Sequence, residues 1–163
     1  MTDHCVAGDR VLLDTSFRAA RDRLKTLARD GMLQRASDVA YGEGITGLVK
    51  AAGPAAGLTR LALVRPNELA GTDHCTHLAI QWEAIAADGT LFTALDADLM
   101  LVPAADQRSA LALAGAYRPQ PGRYGAGLDR AIVRECAMVA VRSFLTQMAG
   151  AVCRDRRLRL RGA

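Results

Sequence analysis

Metal-binding residue types are densest at Asp73-His74-Cys75-Thr76-His77. Zinc needs three or four such ligands converging on one point. In an extended segment side chains alternate between faces, so His74 points away from Cys75 and His77. Cys75 and His77 share a face, and His4 and Cys5 are the residues left to complete a set. The spacing describes a solvated strand entry, and we expect neither metal nor cofactor. A second cluster is acidic: Glu83, Asp96 and Asp98. Paired carboxylates do acid–base work when a cleft moves their pKa values apart. These three alternate with apolar neighbours, which places them on an outer, wet face. The chain has no Gly-x-Ser-x-Gly elbow and no phosphate loop. Tyr117 and Arg65 are then the catalytic candidates, Arg65 because it shares the parity of Leu61 and Leu63 although it stands beside Pro66. A binding protein is favoured over an enzyme.

A third cluster is the C-terminal run Arg154-Asp155-Arg156-Arg157-Leu158-Arg159-Leu160-Arg161. The net charge of the chain is +4, and the five arginines and one aspartate of this run account for all of it. Residues 1–153 are balanced, so no overall basic field draws nucleic acid. The tail also lacks the aromatic rings that stack on bases. We read residues 1–153 as one domain and 154–163 as an Arg-rich tail. No apolar run approaches the roughly 20 residues of a membrane span. The N-terminus has no basic-then-apolar leader, and the cysteines read as reduced thiols, so the expected location is cytoplasmic.

The elements that position these residues follow from periodicity. Arg10–Leu13 reads as a strand. Asp14-Thr15-Ser16 offers capping oxygens for a helix to Arg29, with Phe17, Ala20, Leu24 and Leu27 on one stripe. Gly31 suits its stop. A second helix spans Met32–Tyr41, with Leu33, Ala36 and Ala40 on its apolar side, and Gly42-Glu43-Gly44 is expected to break it. From Ile45 the period changes to two, giving strands near Ile45–Lys50 and near Arg60–Arg65. Asn67–Asp73 reads as a turn.

The strongest local signal is Asp88-Gly89 between two alternating runs, Leu78–Ala87 and Thr90–Val102. A two-residue turn there pairs Trp82 with Leu95, Ile80 with Ala97 and Leu78 with Leu99, all on one face. It puts Gln81, Asp96, Ala79 and Asp98 on the other. After a turn at Pro103–Gln107, a further strand carries Leu111, Leu113 and Tyr117, bringing Leu113 near Leu99 and Tyr117 near Leu95. Pro119-Gln120-Pro121-Gly122 ends the sheet. A long helix then runs from about Gly125 to Cys153. One apolar stripe holds Val133, Ala137, Val141, Phe144, Met148 and Val152; a second holds Leu128, Ile132, Cys136 and Val139. Glu135, Arg142 and Thr146 mark its polar side.

This order, with Trp82-Glu83-Ala84, Leu95-Asp96-Ala97-Asp98-Leu99, Tyr117-Arg118-Pro119 and Gly125-Ala126-Gly127-Leu128-Asp129-Arg130, resembles the helix-grip fold of the SRPBCC superfamily. That group includes START lipid-transfer domains, pollen-allergen-like proteins and polyketide cyclases, and the chain looks like its small bacterial members. The resemblance implies an α+β domain in which a curved antiparallel sheet of about six strands grips the C-terminal helix. It also implies a cavity between them for a hydrophobic or aromatic ligand. The inward residues Leu63, Leu78, Ile80, Trp82, Leu95, Leu99, Leu113, Tyr117, Phe144 and Met148 would line it. An enzyme resembling polyketide cyclases or dehydratases is the alternative. An interaction module that uses the basic tail is the third reading.

Overall fold

Alternating apolar residues build the sheet, and among the described residues two of three helices come before most of it. The computed structural model describes residues 5–52, 70–85, 91–119 and 130–154. Strand β1 (Cys5–Leu13) leads into α1 (Phe17–Arg29) and α2 (Met32–Ala52). Then come β2 (Ala70–Thr72), β3 (Cys75–Ile85), β4 (Leu91–Ala104), β5 (Arg108–Pro119) and α3 (Arg130–Cys153). The strands form one antiparallel sheet in the order β1-β5-β4-β3-β2.

The expected register of β3 and β4 is present. Trp82 faces Leu95, Ile80 faces Ala97 and Leu78 faces Leu99. A bulge between Ala84 and Ile85 shifts the last pair, to Ile85 with Leu91; the Asp88-Gly89 turn lies outside the described residues. On β5, Leu113 pairs with Leu99 and Tyr117 with Leu95. The turn between β4 and β5 is tighter than expected, because β4 continues through Pro103 to Ala104. Asp96 and Asp98 are exposed, whereas Leu78, Ile80, Leu99 and Leu113 are buried. Two-residue alternation therefore separates a wet face from a core face.

Three strands approach one another closely around Gly115. Ala7, Gly115 and Ala97 are neighbours across β1, β5 and β4. A Cβ at Gly115 would lie 2.6 Å from the Ala97 Cβ and 2.6 Å from the Asp96 carbonyl oxygen. Opposed Cβ atoms ordinarily sit about 4.5–5.5 Å apart. Only a residue without a side chain fits so close an approach.

Helix α1 starts as its capping residues suggest, with the Ser16 Oγ accepting the Ala19 N–H at 3.4 Å. Ala20, Leu24 and Leu27 are buried, and Phe17 packs against them. The helix ends at Asp30, where Gly31 takes φ +72°. Helix α2 departs from expectation. Gly42-Glu43-Gly44 does not break it, and it runs to Ala52, so the strand expected at Ile45–Lys50 does not form. Each interior glycine costs a helix about 1 kcal/mol relative to alanine. Close packing offsets that cost. A Cβ at Gly44 would lie 3.2 Å from both the Ala140 Cβ and the Cys136 carbonyl oxygen, so the glycine lets α2 approach α3.

Three further corrections concern strands. β1 begins at Cys5 rather than Arg10, and its inward Asp9 is held by Arg142 of α3 at 3.0 Å. Ala70–Thr72, expected as part of a turn, is a short strand paired with Cys75–His77. The turn itself shrinks to Asp73-His74. The sheet therefore has five strands among the described residues, against about six expected. The strand expected near Arg60–Arg65, with Leu63 and Arg65, lies outside the described residues, as do residues 155–163 of the tail.

Helix α3 buries Val141, Phe144, Met148 and Val152, while Glu135, Arg142 and Thr146 are exposed. Val139, expected on an apolar line, is 42% exposed. By length and composition, Arg134–Cys153 would be apolar enough to cross a bilayer, a property that counting unbroken apolar runs misses. Here half of that segment is buried within the domain.

Candidate ligand site between the sheet and the terminal helix

Three elements converge on Trp82, the one tryptophan of the chain. Its place on β3 follows from alternation, which turns it inward with Leu78 and Ile80. Its indole N–H donates to the Ser37 Oγ of α2 at 3.0 Å. Its ring meets Phe144 of α3 edge to face, with centroids 5.3 Å apart and planes at 73°. That arrangement matches the quadrupoles of the two rings. The ring is thus fixed in position by one hydrogen bond and one aromatic contact.

Around this anchor the wall is apolar. Leu78, Ile80, Leu95, Leu99, Leu113, Phe144 and Met148 all belong to the same buried cluster. Burial is not uniform along it. On β4, exposure rises from 0% at Leu99 to 7% at Ala97 and 8% at Leu95. On β3 it rises from 1% at Leu78 to 6% at Trp82. On α3, Val141, Phe144 and Met148 are sealed at 0%, while Cys136 and Ala140 stand at 8%. All of these residues are buried, those at the Leu78–Leu99 end most completely. Tyr117 stands in register beside Leu95, between it and Cys5. Leu63 and Arg65 lie outside the described residues.

The buried polar groups are few. Among the described residues they are Ser37, Thr76 and Ser109, with no buried carboxylate, imidazole or amine. The Ser109 hydroxyl donates to the Thr15 carbonyl at 3.0 Å, tying β5 to the start of α1. Ser37 escapes a reading for chemistry because such a reading looks among reactive groups. Its signal is positional: it lies four residues after Leu33 and beside Ala36 on the apolar stripe of α2. A hydroxyl there is in the core and must find a partner.

The Asp73–His77 run forms the β2–β3 turn and the entry to β3. His74 donates its backbone N–H to the Thr72 Oγ1 at 3.3 Å, and the Cys75 Sγ lies 3.6 Å from the His77 Nε2. Among the described residues two titrating groups are shifted. Burial, reinforced by Glu135, pushes the Cys136 thiol above its usual range. The backbone N–H of Arg10 and the Arg142 guanidinium hold the Asp9 carboxyl below the ordinary carboxylate value. Apart from the core, a groove of about 670 Å³ lies between the start of α1, Gln107 and the end of α3. Asp14, Asp22 and Arg23 make its lining polar, and none of the residues around Trp82 contributes to it.

No protein-family model matches the chain, and no curated protein matches it. Solved structures do. A conserved protein from Geobacillus kaustophilus overlaps with a TM-score of 0.51 at 10% identity, over 92% of this chain and 96% of that one. The protein TTHA0849 from Thermus thermophilus overlaps at 0.44 and 12% identity, over 91% and 97% of the two chains. The Zhui aromatase/cyclase from Streptomyces sp. R1128 overlaps at 0.43 and 10% identity, over 97% and 96%. Identities this low speak to fold alone. A helical pair follows the first strand, an antiparallel sheet comes next, and a terminal helix packs on its apolar face; this is a helix-grip fold.

Proposed function

We propose that the protein binds a small hydrophobic or aromatic molecule between the sheet and α3, as a carrier rather than a catalyst. The observation that supports this reading is the apolar wall around Trp82 between the sheet and α3, with no buried acid, base or amine among the described residues. Apolar pockets hold ligands by buried area, with a few polar groups to orient them. Burying about 300 Å² of ligand contributes roughly 7 kcal/mol before association costs. In this reading Ile80, Trp82, Leu95, Tyr117 and Leu63 touch the ligand. Leu78, Leu99, Leu113, Phe144 and Met148 form the closed floor behind it.

The single tryptophan gives a direct test. Titration with graded apolar probes, from naphthalene derivatives to fatty acids, is followed by Trp82 emission. Native mass spectrometry of protein from its own host identifies any copurifying species. A saturable emission change, weakened by Leu95→Asp in a variant that still folds, supports the site. No saturable change up to the solubility limit, with no copurifying mass, ends the carrier reading.

A further inference from the structure

We propose a second binding site, independent of the apolar one, for a single oxyanion group of the phosphate type between α1 and the β2–β3 hairpin. Thr76 opens the inward face of β3 and is 2% exposed, yet its Oγ1 has no hydrogen-bond partner among the described residues. Folded proteins seldom leave a buried hydroxyl unpaired, so such a group calls for a partner that the described residues do not supply. Thr76 lines a cavity of about 70 Å³ with Arg21, Lys25, Gly71 and Thr72. Arg21 and Lys25 stand one turn apart on α1, so both reach the same side. The Arg21 Nε is buried, and it too has no acceptor among the described residues.

The two charged side chains that line this space, Arg21 and Lys25, are both cationic. The guanidinium, the ammonium and the Thr76 hydroxyl together suit an anion and repel a cation. The nearest carboxylate is that of Asp73, whose Oδ1 lies 3.9 Å from the Arg21 Nη1. That is longer than a hydrogen bond, and at 96% exposure water screens the pair. Arg21 also lies over the Phe17 ring at 5.8 Å, which steadies its guanidinium without using its donors. Gly71 keeps the cradle open. It pairs with Thr76, and a Cβ there would lie 3.2 Å from the Thr76 Oγ1 and 2.5 Å from the Cys75 carbonyl oxygen. A single water takes about 30 Å³ of liquid, so the space exceeds one water yet is far too small for a whole organic ligand. It matches one tetrahedral oxyanion, free or at the end of a phosphomonoester.

The test is a titration of the full chain with inorganic phosphate at constant ionic strength, read by amide and arginine Nε–H chemical shifts. Glycerol 3-phosphate and phosphatidic acid vesicles run in parallel. Saturable shifts at Gly71, Thr72, Thr76 and Arg21 are expected. Thr76→Val and Arg21→Gln should each weaken binding about tenfold, the loss of one charge-assisted hydrogen bond. Lys25→Gln, at an exposed position, should weaken it less and flatten its salt dependence. Unchanged Trp82 emission in each variant shows that the fold survives. Equal binding to all three probes identifies the free ion, and tighter binding to an ester or to vesicles identifies a phosphorylated ligand; both support the site. Wild-type affinity in Thr76→Val, or shifts reproduced by chloride, overturns it.

Discussion

Replacing Ser37 by alanine tests whether Trp82 is held by its hydrogen bond or by packing alone. The serine is fully buried and Trp82 is 6% exposed, so neither partner has water to fall back on. Ser37→Ala removes the acceptor at 3.0 Å and leaves the indole N–H orphaned. An unpaired buried donor costs about 1–3 kcal/mol, and the deleted oxygen is too small to add much of a cavity term. We expect a loss near 2 kcal/mol, and for a chain of this size each kcal/mol lowers Tm by about 2–4 °C. Urea unfolding monitored by far-ultraviolet circular dichroism measures the loss, and Trp82 emission reports the altered polarity around the indole. Trp82→Phe orphans the serine instead and costs more, because indole area is lost too. In the double variant neither partner is left unpaired, so it should be more stable than the sum of the single effects by about 1 kcal/mol. A cost below about 0.5 kcal/mol for Ser37→Ala, or an additive cycle, refutes the account.

The remaining predictions concern glycines and one carboxylate. A Cβ added at Gly42 would meet nothing within 4 Å, while one at Gly44 would abut Ala140, so thermal melts should show Gly42→Ala stabilising by about 0.5–1 kcal/mol and Gly44→Val destabilising. Gly115→Ala places a methyl 2.6 Å from Ala97 and should cost about 1–3 kcal/mol, read as a lower urea midpoint or loss of soluble protein. The Asp9 carboxyl is held below its ordinary 3.8 by the Arg10 N–H and Arg142. Its contribution is therefore complete above that value and lost as pH falls through the lower folded-state value. Carbon-13 titration should show the depressed midpoint, and Asp9→Asn should remove this part of the acid dependence.

What the sequence revealed, and what it hid, divides by the range of the interactions. The β3–β4 register was legible because side-chain direction has period two: a slip of one residue would have turned Trp82, Ile80 and Leu78 out to water. The capping of α1 by Ser16 is equally local. The length of α2 was not legible. Gly42 and Gly44 carry the local signature of a helix end, and only the contact of Gly44 with α3 explains why the helix continues. The start of β1 was hidden because inward Asp9 breaks the alternation, and its partner Arg142 lies 133 residues away. The candidate site divides in the same way. Its apolar wall could be read from parity, but the Ser37–Trp82 bond spans 45 residues with no pattern in the chain to announce it. Thr76 looked like a spacer between two possible metal ligands. Its significance comes from the helix lying opposite.

The glycine-and-alanine row through Ala7, Gly115 and Ala97 has a consequence for how this sheet can change. Strand spacing made by bare backbone is set by the main chain, not by the bulk of whatever hangs beside it. Residues beside the row, such as Leu95 and Ile80, can then be exchanged for others of similar volume while the strands keep their spacing. Backbone spacing and side-chain lining become separate variables, so one scaffold can be re-lined by a handful of substitutions that leave its glycine untouched.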